Sequence, residues 1–370
     1  MKVALVHFWL VGMRGGERVL EALCKMYPQA DIYTHVYDPL EISDTIKKHK
    51  IYTSFINKLP KAKTWYQNYL PLMPWALAQF DFSNYDLVIS SESGPAKGIL
   101  TPPDTAHICY CHSPMRYAWD MYAEYTRQLS LPKRILAAPI MNYMRIWDAA
   151  TANGPDAVVA NSHFIAQRVK KCWGRDSKVV HPPVKVQDFI LGAREKRKNF
   201  YLFFGELVPY KKADLAVRAF SQPNNKRELV VIGAGAQLKE LKKIAGPNVT
   251  FLGRQPFSSV KEYLSCCKAL IFPGLEDFGI VPVEALASGT PVIAYGRGGV
   301  LDTIKDGTSG IFFHKQTQED LLEAVRRFEL AENDFDPGAL AEESKRFKEE
   351  NFQTQMEEII NQVLREKGKI

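Results

Sequence analysis

The chain has 370 residues, 46% of them hydrophobic and 24% charged, with a net charge of +7. That length exceeds what one hydrophobic core usually supports, so two domains are expected, of ordinary globular composition. The six cysteines form no Cys-x-x-Cys pair and no uncharged apolar run reaches ~18 residues, which argues against a disulfide framework and against a spanning helix.

An apolar run at 3–8 reads as a strand leading into a glycine-bearing turn, not as a signal peptide. The turn, Gly12-Met13-Arg14-Gly15-Gly16-Glu17, precedes a helix expected to open at Arg18. Consecutive glycines there let the backbone approach an anion at a helix start. The spacing is not Gly-x-Gly-x-x-Gly, so a dinucleotide fingerprint is not matched. A second strand is expected at 31–36. From Lys47 to Phe80 there is no acidic residue. Lys47, Lys48, Lys50, Lys58, Lys61 and Lys63 are interleaved with Tyr52, Phe55, Trp65, Tyr66, Tyr69 and Trp75. That mixture suits an anionic membrane surface, and equally a solvated basic face over core aromatics. No recognisable nucleic-acid module accompanies it, so no nucleic-acid partner is expected.

Strands follow at 86–91, 106–111 and 157–161. His112 stands directly after the second of these, in Tyr110-Cys111-His112-Ser113-Pro114-Met115-Arg116-Tyr117. Open α/β sheets bind ligands at the carboxyl ends of their strands, and a histidine there can donate or accept at neutral pH. Ser162 reads as the N-cap of a helix over 165–172. Pro182-Pro183-Val184 and the charged run Arg194-Glu195-Lys196-Arg197-Lys198 place the interdomain connection at 185–198.

The second half repeats the alternation, with strands at 201–204, 229–232, 249–252, 269–272, 292–294 and 311–313. Strands alternating with helices in both halves imply two parallel, doubly wound sheets. Asp334-Phe335-Asp336 reads as a turn before Pro337, and no Cys/His cluster has metal-ligand spacing, so no metal is expected. The tail at 353–365 sets Met356, Ile359, Ile360, Val363 and Leu364 on one helical stripe.

The most informative stretch is Gly274-Leu275-Glu276-Asp277-Phe278-Gly279-Ile280-Val281-Pro282-Val283-Glu284. Strand-like residues precede it and helix-like residues follow, a junction where backbone N–H groups and the helix dipole favour an anion. Pro282 suits a first helical turn. Glu276 and Glu284 cannot bind phosphate themselves, but they can accept hydrogen bonds from the hydroxyls of a nucleotide sugar.

This stretch resembles the Glu-x7-Glu motif of the retaining family-4 glycosyltransferases. Gly289-Thr290-Pro291-Val292, Gly298-Gly299 and Asp306-Gly307-Thr308-Ser309-Gly310 follow in the family's order. The resemblance implies the GT-B fold: α/β, two doubly wound Rossmann-like domains facing a cleft, with a C-terminal helix crossing back to the N-terminal domain. It implies an acceptor-binding domain at 1–185, a nucleotide-sugar-binding domain at 199–350 and the returning helix at 351–370.

His112, Lys211 and Glu276 are the catalytic residues it implies. The implied donor contacts are Gly15, Gly16, Glu206, Lys211, Gly233, Arg254, Asp277, Phe278, Gly279, Ile280 and Glu284. In Gly205-Glu206-Leu207-Val208-Pro209-Tyr210-Lys211, Lys211 matches the family's lysine, while Glu206 stands where arginine is usual, a charge reversal. Arg14-Gly15-Gly16-Glu17-Arg18, the run from His112 to Tyr117 and the run from Glu276 to Ile280 are similar to the mannosyltransferases that build bacterial O-antigen and related surface glycans. This implies α-mannosyl transfer from GDP-mannose to a lipid-linked saccharide, with no cofactor or metal. The place implied is the cytoplasm, at the inner face of the cell membrane. A transferase of the same fold using a UDP-sugar, and a weakly active or non-catalytic scaffold motivated by Glu206, are the alternatives.

Overall fold

A computed structural model of the chain describes residues 1–127 and 129–370. They divide into two units. The first comprises Met1–Pro183 with Glu349–Ile370, and the second Val184–Lys348.

In the first unit the strands are β1 (Val3–His7), β2 (Asp31–Thr34), β3 (Ile51–Thr53), β4 (Leu87–Glu92), β5 (Ala106–Cys111), β6 (Ala157–Ala160) and β7 (Lys178–Val179). All pair in parallel, in the order β3-β2-β1-β4-β5-β6-β7. Every residue of β1, β4 and β5 is buried. A parallel sheet covered on both faces requires this, and it is why these strands are mainly apolar, with polar residues gathered toward the end of β4. Alternate side chains serve opposite faces. Val3, Leu5, Leu87 and Ile89 enter one core cluster, whereas Ala4, Val6 and Val88 enter another.

The first of these clusters is completed from the far end of the chain. The helix Glu349–Glu366 buries Phe352, Met356, Ile359, Ile360, Val363 and Leu364 against Leu5, Leu23 and Ile108. Full burial of such side chains contributes about 1.5–3 kcal/mol each. The stripe legible in the tail is therefore the face that returns to the N-terminal unit.

The second unit contains β8 (Phe200–Phe204), β9 (Glu228–Ile232), β10 (Val249–Gly253), β11 (Leu270–Phe272), β12 (Val292–Tyr295) and β13 (Gly310–Phe313). Their order is β10-β9-β8-β11-β12-β13, again all parallel. Two doubly wound Rossmann-like units are thus present.

Three features differ from the sequence reading. The edge strands β3 and β7, of three and two residues, are too short to announce themselves. Gly15 and Gly16 are the first residues of the helix Gly15–Met26, so the helix opens on the glycines rather than at Arg18. The stretch 184–198 does not hang free as a connection but is fastened to the second unit. Gly192 donates to the Ser288 carbonyl at 3.0 Å, and Arg194 and Arg197 donate to the carbonyls of Phe335 and Gly289.

Two histidines are sealed inside the first unit. His35 contacts Ser54 Oγ (3.2 Å) and the Pro95 carbonyl (3.1 Å), and His107 contacts Ser90 Oγ (2.9 Å). Burial pushes both down to about 4 from 6.5. An unfolded chain takes up those protons first on acidification. The stability present above pH 6.5 is therefore lost as the pH falls toward about 4. The melting temperature should drop between pH 7 and 5, and His107→Gln should make that drop shallower. A melting temperature flat over this range in the parent would contradict neutral burial of these rings.

Candidate active site

Each sheet reverses its winding at one point, between β1 and β4 in the first unit and between β8 and β11 in the second. The loops leaving the carboxyl ends of two such strands diverge and leave a crevice, which is where open α/β sheets bind ligands.

In the first unit, a relay of polar side chains occupies this point. His7, the last residue of β1, contacts Ser91 Oγ through Nδ1 at 3.0 Å. The same Ser91 oxygen contacts His112 Nε2 at 2.8 Å. Behind His7, Glu17 Oε1 lies 3.6 Å from Nε2, while Glu17 Oε2 accepts the Arg14 N–H at 2.9 Å. His112 itself is only half-buried, and its carbonyl accepts from Asn161 Nδ2 at 3.0 Å. Burial of its ring, with His7 beside it, pushes its pKa down to about 3. It is therefore a neutral imidazole, held through Nε2, that leaves Nδ1 for a ligand. Gly16 sits against the same group, since a Cβ there would lie 3.5 Å from His112 Nε2. Thus Gly15 and Gly16 open the helix beside His112. The relay through Ser91, His7 and Glu17 was not anticipated, although the polar run at the end of β4 was a usable signal.

In the second unit, three loops converge. Lys211 ends the short helix Pro209–Lys211 after β8 and forms an ion pair with Glu276, on the loop after β11. Both side chains are mostly buried. Two glycine contacts bring those loops together. A Cβ at Gly274 would fall 2.9 Å from the Lys211 Cα, and one at Gly299 would fall 2.3 Å from both the Asp277 oxygen and the Phe278 Cα. The Gly299 N–H also donates to the Glu276 carbonyl at 2.9 Å. Gly298-Gly299 is therefore the floor on which the Glu276 loop rests.

The helix Ile280–Ala287 follows immediately, with Gly279 at its N-cap in a left-handed conformation (φ 95°). Ile280, its first residue, is partly buried, as is Asp277. Glu284 is buried on this helix. The side chain of Phe278 is buried: it packs against Phe347, with ring centroids 5.5 Å apart, beside Val184, Val186 and Val283. Gly233 follows β9, next to β8, and exposed Arg254 follows β10, one strand further out. Glu206 is exposed, and no ion pair joins it to Lys212 among the described residues.

Residues 13–188 match the family model described as Glycosyltransferase Family 4, and residues 187–354 that described as Glycosyl transferases group 1. An uncharacterized glycosyltransferase of Methanocaldococcus jannaschii is 30% identical over 203 residues, covering 54% of this chain and 56% of the relative. Alpha-1,3/1,6-mannosyltransferase ALG2 of Dictyostelium discoideum is 25% identical over 303 residues, covering 67% and 68%. The chain therefore spans little more than half of the first relative and about two thirds of the second. Among solved structures, Anabaena HepE in complex with UDP superposes with a TM-score of 0.73 at 16% identity, covering 98% of this chain and 100% of that one. That likeness concerns the fold alone. The two family matches, end to end, and the GT-B architecture together support a glycosyltransferase of family 4.

Gly299→Ala tests the floor of the second unit's site. The added methyl group collides with backbone, and overpacking of this kind costs about 1–3 kcal/mol. Chemical denaturation should show that loss. A variant as stable as the parent would mean that the Glu276 loop does not rest on Gly299.

Proposed function

We propose that the chain is a retaining glycosyltransferase that moves mannose from GDP-mannose to a lipid-linked saccharide in the synthesis of a bacterial surface glycan. The observation that carries the reading is the pairing of Lys211 with Glu276 where the second sheet reverses its winding. A cation and a carboxylate held together there match the two halves of a sugar diphosphate. Lys211, with backbone N–H groups at the start of the helix Ile280–Ala287, stabilises the negative charge that develops on the leaving diphosphate. No metal step is required for this. Glu276, released from Lys211 by the incoming phosphate, accepts from the sugar hydroxyls, and Glu284 accepts from the ribose. His112, neutral and fixed by Ser91, offers a polar contact at the first unit's own reversal point. The mannosyltransferase name of ALG2 favours mannose. The acid-free stretch from Lys47 to Trp75 favours an anionic membrane carrying the acceptor.

Transfer from GDP-mannose to a lipid-linked saccharide, followed by product analysis of the anomer, tests the whole reading. Within it, Glu284→Gln should weaken GDP binding by roughly ten- to hundredfold, the worth of a hydrogen bond to a charged group. Glu276→Gln should spare GDP and weaken GDP-mannose. Calorimetry with both ligands decides, and equal losses of GDP in both variants would reverse the assignment. UDP binding in place of GDP would move the donor to the uridine series.

Glu206 sets a carboxylate on the loop that carries Lys211, without a cation to offset it among the described residues. Like charge near a diphosphate weakens donor binding. Glu206→Arg should therefore lower the donor's dissociation constant and raise the transfer rate. A variant no better than the parent would show that other cations already compensate.

A further inference from the structure

The helix Leu131–Ala150 is twenty residues long, yet buries only Met144 and Asp148. Its carboxyl half is fastened tightly. Asp148 pairs with the buried Lys97 ammonium and accepts from the indole N–H groups of Trp119 (2.7 Å) and Trp173 (2.8 Å). Its amino half stands clear of the protein. Leu131, Ile135 and Leu136 are 66–70% exposed, and Ile146 further along is 63% exposed. At 100° per residue Leu131, Ile135, Leu136, Tyr143 and Ile146 fall within an arc of about 140°. This is an exposed, largely apolar face, interrupted by Asn142. Exposed patches of this kind mark interaction surfaces.

Charge decides what covers it. Between Tyr125 and Trp147 the chain has Arg127, Lys133, Arg134 and Arg145 and no acidic residue. The stretch from Lys47 to Phe80, also acid-free, carries six lysines. Both segments cap the same small core, in which Met144 meets Ile56, Leu70 and Met73. From the second segment Trp65 and Trp75 are exposed as well. Without these ten cations, the chain's 48 basic residues fall to 38 against 41 acids. The entire positive excess of the protein therefore lies in these two segments. A second copy of the same face would meet it with like charge, which opposes association. An anionic bilayer meets it with opposite charge and accepts the apolar side chains between its headgroups. No helix among the described residues is long and apolar enough to cross a membrane, so this one lies along the surface.

We propose that the amino half of the helix Leu131–Ala150 inserts its Leu131–Ile135–Leu136 face into an anionic bilayer, with Lys133 and Arg134 reaching its headgroups. The proposal extends the membrane part of the functional reading to a second segment and rests on it only for the lipid nature of the acceptor.

Cosedimentation of the full chain with phosphatidylglycerol–phosphatidylcholine vesicles and with pure phosphatidylcholine vesicles tests it. The parent should bind the anionic vesicles at least tenfold more tightly than the neutral ones. Ile135→Glu with Leu136→Glu should lower anionic binding at least tenfold, as should the milder Leu131→Ser with Ile135→Ser. These side chains are exposed, so the melting temperature of either variant and its transfer to a water-soluble saccharide should equal the parent's. Three results would overturn the proposal. They are unchanged vesicle binding in both variants, a parent that binds no vesicle or binds both kinds equally, and a vesicle-free dimer that the variants dissociate. If vesicle binding behaves as expected but no lipid-linked saccharide is used, the docking surface stands and the assignment of the acceptor falls.

Discussion

The ion pair between Lys211 and Glu276 is the contact on which the functional organisation of the second unit depends. Neither residue is placed by its own element alone. Lys211 ends a short helix after β8, and Glu276 lies on a loop after β11. They meet because β8 and β11 are neighbours in space but far apart in sequence. Glycines at 274 and 299 then remove the Cβ atoms that would hold the loops apart. The parallel sheet thus supplies the site's position, and the glycines its closeness. Leaving either charge unpaired in a mostly buried place is costly. In the proposed function a diphosphate takes the carboxylate's place beside the lysine and leaves the carboxylate for hydroxyls.

The first unit solves the matching problem without a charge pair at its reversal point. There, Ser91 lies between two histidines and Glu17 backs His7, the inner one. Burial keeps His112 neutral, so it presents a dipole rather than a charge at this point. The unit's strongest charges are deeper, where Lys97 and Asp148 are sealed among tryptophans. Removing one partner of such a pair leaves a buried charge without compensation, which is far more costly than never having had the pair. That cluster anchors the Leu131–Ala150 helix by one end and leaves the other end projecting.

Much of this was legible in the sequence. Strands buried on both faces are mainly apolar, and β1, β4, β5 and β11 were readable for that reason. The stripe from Met356 to Leu364 announced a helix that needs a partner. The glycines at 298 and 299 were visible because close backbone approach restricts residue choice, whereas Glu276 and Glu284 stood out through the motif they resemble. Long-range pairing was not visible. Ser91 and His7 are ordinary strand residues until a sheet order brings β1 beside β4. The burial of Phe278 depends on Phe347, far away in the chain. The exposed face of Leu131–Ala150 was not anticipated, since exposure depends on what the rest of the fold leaves uncovered.

The central claim is that Lys211 holds the diphosphate of a nucleotide donor at the reversal point of the second sheet. Isothermal titration of GDP into the parent and into Lys211→Met, without added divalent metal, tests it most directly. The account predicts binding by the parent and a loss of at least tenfold in the variant, with the melting temperature of the free protein little changed. Equal GDP affinity in the two proteins, or binding by the parent that appears only with Mg²⁺ or Mn²⁺ present, would contradict it.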